Sequence, residues 1–282
     1  MNEEVLQFGK NKDLIGIITS PADKKRATNH PVFIFLNSGF IHRVGFSRVH
    51  VEISRKLAQM GFVSFRMDSS GIGDSLSRND NLQIDQRWVN ETREAMDVLS
   101  MKKGSERFVL IGNCSGAELS FNTACVDQRV VSAVLINPTS NRILLQYYIR
   151  LGLFMPSIWL RLIKGKLKYK YTFQKYLRIK ASDQHRRVSE KEDLKVRIIN
   201  NFKQLTHRGC RLFMIHCEWD ANFSYYRKLY KKELADLISE NKIKVATIKG
   251  MNHDFFLVRG LNELIQLIQD WSLTVSNSSI HS

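Results

Sequence analysis

One stretch constrains the fold of this chain more than any other. Phe108-Val109-Leu110-Ile111 is a continuous apolar run, the pattern of a strand buried on both faces of a sheet. It passes directly into Gly112-Asn113-Cys114-Ser115-Gly116, and a helical pattern follows from about Ala117 to Cys125. A chain that leaves a strand and enters a helix in so few residues must turn sharply. The middle residue is then held in strained backbone with its side chain exposed, and its neighbours must be small. Cys114 is that middle residue. It would stand at a helix N-terminus, whose positive end stabilises an anionic nucleophile.

The rest of the chain extends the pattern. Short strands are expected at Val5–Phe8 and Leu14–Ile18, divided by the turn residues Lys10-Asn11-Lys12-Asp13. Further strands are expected at Val32–Leu36, Phe62–Met67, Val130–Ile136, Arg211–Ile215 and Ile243–Ile248. Helical spacing recurs at Val51, Ile53, Leu57 and Met60, then over Trp88–Met101, Tyr225–Ser239 and Leu261–Trp271. Strands separated by helices indicate an α/β domain: a mostly parallel, eight-stranded sheet with helices on both faces. Regular alternation is interrupted once. Residues 1–137 and 207–282 are therefore read as the core, and 138–206 as an inserted segment.

Composition excludes several classes. The first residues, Met1-Asn2-Glu3-Glu4, are acidic where a secretory signal is basic, and no apolar run follows. The most apolar window, Ile143–Ile163, contains Arg150, Arg161 and Pro156, so a soluble or interfacial helix pair is expected rather than a membrane span. Cys114, Cys125, Cys210 and Cys217 form no C-x-x-C pair, and no histidine cluster has zinc spacing. No disulfide framework, metal or cofactor is expected, and a reduced, cytoplasmic protein is the default. Net charge is +16, but 18 Lys+Arg against 4 Asp+Glu fall between Arg142 and Arg211. That quarter of the chain carries +14, and the remainder is nearly neutral.

Three segments resemble the α/β-hydrolases, and within them the serine aminopeptidase-like hydrolases, including those associated with exosortase systems. Asn37-Ser38-Gly39-Phe40-Ile41-His42-Arg43-Val44-Gly45 is similar to the family's oxyanion loop. Phe65-Arg66-Met67-Asp68-Ser69-Ser70-Gly71-Ile72-Gly73-Asp74-Ser75 resembles its D-x-x-G-x-G-x-S loop. Gly112 to Gly116 is its nucleophile elbow, with cysteine where most members carry serine. The resemblance covers essentially the whole chain. It implies an acid after a later strand and a histidine near the C-terminus, in that order. His216-Cys217-Glu218-Trp219-Asp220 then supplies Asp220, and Lys249-Gly250-Met251-Asn252-His253 supplies His253.

On this reading Cys114 attacks an acyl carbonyl, His253 handles the proton and Asp220 orients the imidazole. The N–H groups of Phe40 and Ser115 would bind the oxyanion. Glu218 is the alternative acid, and His216, set within a strand pattern, the alternative base. Asn37, Ser38, Gly39, His42 and His50 are candidates for substrate contact or for support behind the site. Asp68 is expected to fix backbone rather than perform chemistry. The segment carries Asn37-Ser38-Gly39 where a His-Gly pair is common, and Ser70 where Arg is common.

In this family an insertion at 138–206 implies a helical cap. Leu144, Leu145, Tyr148, Leu151, Phe154 and Met155 give it an apolar face, continued by Trp159, Leu160, Leu162 and Ile163. Lys164, Lys166, Lys168 and Lys170 alternate with apolar or aromatic residues, a pattern that nucleic-acid binders also show. An elbow with two partners explains the chain better than nucleic acid does. The substrate expected is a small-molecule ester or thioester of a medium or large acyl group. The lysines would receive an anionic carrier, which could be coenzyme A as its thioester, an acyl carrier protein or an anionic membrane surface. Hydrolysis of an ester or thioester is the leading expectation. Acyl transfer or cyclisation with the same triad, and a non-catalytic binding protein with this fold, are the alternatives.

Overall fold

A computed structural model describes residues 1–23, 30–138, 184–220, 223–253 and 257–277. The apolar window Ile143–Ile163 and the lysines Lys164, Lys166, Lys168 and Lys170 lie outside the described residues. The chain divides into two compact units, 1–139 with 204–282 and 140–203, and all eight strands belong to the first.

The strands are β1 (Asn2–Phe8), β2 (Leu14–Ser20), β3 (Val32–Leu36), β4 (Ser64–Asp68), β5 (Phe108–Asn113), β6 (Val130–Ile136), β7 (Arg211–Cys217) and β8 (Ile243–Ile248). The helices are α1 (Val49–Gln59), α2 (Ile84–Lys103), α3 (Ser115–Val126), α4 (Gln184–His207), α5 (Phe223–Glu233), α6 (Ala235–Ser239) and α7 (Val258–Asn277). All strands join one sheet in the order β1-β2-β4-β3-β5-β6-β7-β8. β1 and β2 form an antiparallel hairpin, and β2 runs antiparallel to β4. From β4 to β8 every neighbouring pair is parallel.

Alternation within the buried strands explains why helices cover both faces. Phe33, Phe35, Val109, Ile111, Phe213 and Ile215 share one cluster with Ile53 and Leu57 of α1 and with Leu264, Ile268 and Trp271 of α7. The intervening residues, Ile34, Leu110, Ala133 and Met214 among them, are equally buried and point to the other face. There α3 packs on β5 and β6, and α2 packs on α3. The order β4-β3-β5 reverses direction at β3. Loops leaving β3 and β5 therefore part to opposite faces, opening a crevice at the carboxyl ends of two adjacent strands.

Several elements shift their ends by a few residues, β4 beginning at Ser64 rather than Phe62 among them, and three helices differ more instructively. α2 begins at Ile84, a turn before Trp88. The single helix expected over Tyr225–Ser239 is two, because Leu234 leaves helical geometry (φ −116°, ψ 6°) and buries its side chain completely. α7 extends to Asn277, since Val275 continues the stripe that buries Leu264, Ile268 and Trp271. Among the described residues no helix is long and apolar enough to cross a membrane.

Candidate active site

The turn from β5 into α3 has the expected geometry. Cys114 stands at the helix N-cap with φ 58° and ψ −121°, a strained conformation for a residue bearing a side chain. Its N–H donates to the carbonyl of Ile136 at 2.9 Å, tying the elbow to the end of β6. A Cβ on Gly112 would lie 2.0 Å from the Gly116 carbonyl oxygen, and one on Gly116 would lie 2.5 Å from that of Asn37. Both glycines are therefore steric requirements: one for the turn itself, the other for its approach to the loop after β3.

His253, beyond β8, brings two partners together. Its Nδ1 bonds Oδ2 of Asp220, beyond β7, and its ring is near enough to Cys114 for the sulfur to favour its charged form. Burial opposes charge on the imidazole. The Asp220 and Cys114 hydrogen bonds and charges outweigh it, so the imidazole is pushed up to about 10. The Phe46 ring meets His253 edge-on, centroids 6.4 Å apart.

The two other candidates in these loops are used elsewhere. Glu218 accepts the Gly250 N–H at 2.8 Å, bracing the turn that carries His253. His216 is fully buried in β7 among the rings of Phe223, Tyr226 and Tyr230, bonded to the Tyr230 hydroxyl. Burial pushes it down to about 4, so it stays neutral.

The loop after β3 lies against the elbow. Ser115 Oγ accepts the Gly39 N–H at 2.6 Å. Ser38 is buried and accepts the Ile41 N–H at 3.0 Å through its carbonyl. Phe40 lies between these two anchored amides. Its ring is exposed and meets Trp88 edge-on at 6.4 Å. Among the described residues neither the Phe40 N–H nor that of Ser115, the first residue of α3, has an acceptor. Asn37 is buried in support: its amide donates to the Ile41 carbonyl and to Asp68 and accepts the Ser69 N–H. His50 is interior, bonded to the Arg43 carbonyl and stacked on Phe35, so substrate contact is not its role.

His42, half-exposed, approaches Asp68 at 3.5 Å and Asp74 at 3.7 Å. These three ligand types could surround a cation. The Arg43 guanidinium already sits on both carboxylates, so the positive charge they call for is supplied by the chain itself.

Sequence reasoning overlooked Asn137 and Glu118. Asn137, fully buried at φ 43°, accepts the Cys217 N–H at 2.7 Å and donates its own N–H to the Ile215 carbonyl. It joins the ends of β6 and β7 behind the elbow. The only signal was an Asn-Pro pair closing a strand. Glu118 lies one turn past Cys114 on α3, and burial, aided by the charge of Asp85, pushes it up to about 7. A cleft of about 760 Å³ lies away from the elbow, at the start of α2, where Arg78 is paired with Asp13 and Glu94 and Arg87 with Asp80.

No protein-family model and no curated protein matches the chain in sequence. Solved structures do match in shape. Proline iminopeptidase from Mycobacterium smegmatis superposes with a TM-score of 0.61 at 15% identity, covering 99% of this chain and 100% of its own. Est1E from Butyrivibrio proteoclasticus gives 0.62 at 14% identity, covering 96% and 98%. An alpha-beta serine hydrolase homologue from Coxiella burnetii gives 0.56 at 15% identity, covering 95% of each chain. A mostly parallel sheet of eight strands, reversing at β3 and flanked by helices, gives this chain the α/β-hydrolase fold.

Proposed function

We propose that the protein is an acyl hydrolase acting on ester or thioester bonds through Cys114, His253 and Asp220. The observation that carries this reading is the His253–Asp220 hydrogen bond, with Cys114 acting on the same imidazole, beside two backbone N–H groups that have no acceptor among the described residues. The narrower sequence likeness, to serine aminopeptidase-like and exosortase-associated hydrolases, is compatible with it.

The chemistry follows from the charges. The Cys114 sulfur attacks the acyl carbonyl, forming a C–S bond and moving the carbonyl π pair onto oxygen. The N–H groups of Phe40 and Ser115 receive that oxyanion; one such donor is typically worth about 3 kcal/mol of barrier. As the intermediate collapses, the bond to the leaving group breaks and protonated His253 supplies its proton. In the thioester acyl-enzyme the sulfur is bonded to the acyl carbon, so the influence of Cys114 that raises His253 is gone. Neutral His253 then takes a proton from water, hydroxide adds to the thioester, and C–S cleavage releases the acid and restores the cysteine.

Cysteine in place of serine favours a second reading, acyl transfer. A thioester reacts readily with amines and thiols, so an acceptor other than water would complete the same cycle. The basic segment at 138–206, inserted between β6 and β7, is proposed as a cap that receives the anionic carrier of the acyl group through Lys164, Lys166, Lys168 and Lys170.

Intact-mass analysis against a series of activated acyl esters and thioesters tests this. One acyl adduct on Cys114 is expected, absent in folded Cys114→Ala, with turnover abolished. Full activity in Cys114→Ala overturns the reading. Product analysis with and without an added amine separates transfer from hydrolysis.

A further inference from the structure

The loop that carries Phe40 has no regular structure of its own, yet it is tied down at its base as firmly as the elbow. The knot is Asp68, completely buried at the end of β4. Its Oδ1 accepts the Arg43 backbone N–H at 2.6 Å and the Asn37 amide at 3.1 Å. Its Oδ2 takes the Arg43 guanidinium and, at 3.4 Å, the Asp74 N–H. The other arm of Arg43 reaches the exposed carboxylate of Asp74 at 2.6 Å. Asn37, held by Asp68, in turn grips the Ile41 carbonyl at 2.9 Å. A side chain at Gly73 would put its Cβ 2.3 Å from Asp68 Oδ2, so the loop after β4 is shaped around this one carboxylate.

The ties bracket a single amide. Gly39 is held from the elbow by Ser115 Oγ, while Asn37, Ile41 and Arg43 are held from β4 by Asp68, directly or through Asn37. Phe40 lies between the two sets of anchors. The ties to the buried carboxylate include charge-assisted bonds, the stronger kind, inside a site where no water competes for them. We propose that Asp68 is a positioning residue for the reaction, holding the Phe40 N–H in place to receive the oxyanion formed at Cys114. This rests on the acyl-hydrolase reading above, and it extends that site to a residue that touches neither substrate nor nucleophile.

The test separates the loop from the nucleophile. Iodoacetamide alkylation of Cys114 needs an activated sulfur and no oxyanion donor, whereas turnover of an activated acyl ester needs both. In Asp68→Asn, kcat per alkylatable Cys114 should fall by about 30- to 100-fold, the scale of a displaced oxyanion donor. KM and the alkylation rate at Cys114, followed by peptide mapping, should stay within about threefold of wild type, because neither uses that donor. Asn37→Ala cuts the relay without stranding a buried charge. It should lower kcat about tenfold with the same unchanged alkylation, and it carries the test if Asp68→Asn does not fold. The proposal is overturned if kcat per alkylatable Cys114 is unchanged in the folded variants. It is also overturned if alkylation slows in step with kcat, which would place the effect on the nucleophile. Wild-type protein that is alkylated at Cys114 but never acylated overturns the acyl-hydrolase reading, and this proposal with it.

Discussion

The elbow and the loop after β3 face each other across the crevice but are built in opposite ways. The turn of the elbow is local, Gly112 accommodating Gly116, with one backbone tie from Cys114 to Ile136 at the end of the neighbouring β6. The loop over 37–45 is held from a distance, by Asp68 and by Ser115, 76 residues from the Gly39 it binds. On the proposed function, a nucleophile set by its own strand and helix should tolerate change elsewhere, and an oxyanion donor set by remote side chains should not, so turnover should fail there while Cys114 still reacts.

The largest expected effect that sharpens the contrast is at Asp220. Asp220→Asn keeps the shape but removes the charge that holds the His253 proton, and turnover should fall about a thousandfold or more. The imidazole should then release its proton well below its present value of about 10, read from its NMR titration. Linkage gives the sign. A folded-state value raised above the ordinary one stabilises the fold fully below about pH 6.5, and that contribution is lost as pH rises toward 10. Denaturant titrations should show a smaller loss over that interval in Asp220→Asn than in wild type.

Next is Gly112→Ala. Its Cβ would meet the Gly116 backbone, and a destabilisation of about 3 kcal/mol is expected in the chemical denaturation midpoint. Preserved stability would break the claim that the elbow is sterically determined. Ser115→Ala removes the acceptor of the Gly39 N–H, the bond joining the two regions. A fall in kcat of about tenfold is expected, with the fold intact. The smallest effect is at Glu218, which braces the Gly250 turn and does not touch His253. Glu218→Gln should change kcat by no more than about threefold. A loss rivalling that of Asp220→Asn would exchange the roles of the two acids.

Much of this was legible beforehand. The buried strands announced themselves as apolar runs, and Gly112 to Gly116 announced the turn. The order of Cys114, Asp220 and His253 came from resemblance; in the fold His253 bonds Asp220, and Cys114 acts on the same imidazole. The break at Leu234 was not legible, because the helical pattern continues through it and only burial of that side chain interrupts the backbone. Choosing Asp220 over Glu218 was equally beyond spacing. They lie two residues apart, and which one reaches His253 depends on how two loops pack.

The sequence by itself determined the strands, the elbow and the place of Cys114 at its apex. Each rests on periodicity or on steric demands within a few residues, such as that of Gly112 on Gly116, which neighbours in the chain largely satisfy. The tertiary structure decided which acid bonds His253, why His216 and His50 stay neutral inside the core, and that Asp68, Asn37 and Arg43 hold the loop carrying Phe40. Those outcomes depend on burial and on hydrogen bonds between residues 25 or more apart. Only the folded sheet brings such groups within bonding distance and shields them from water.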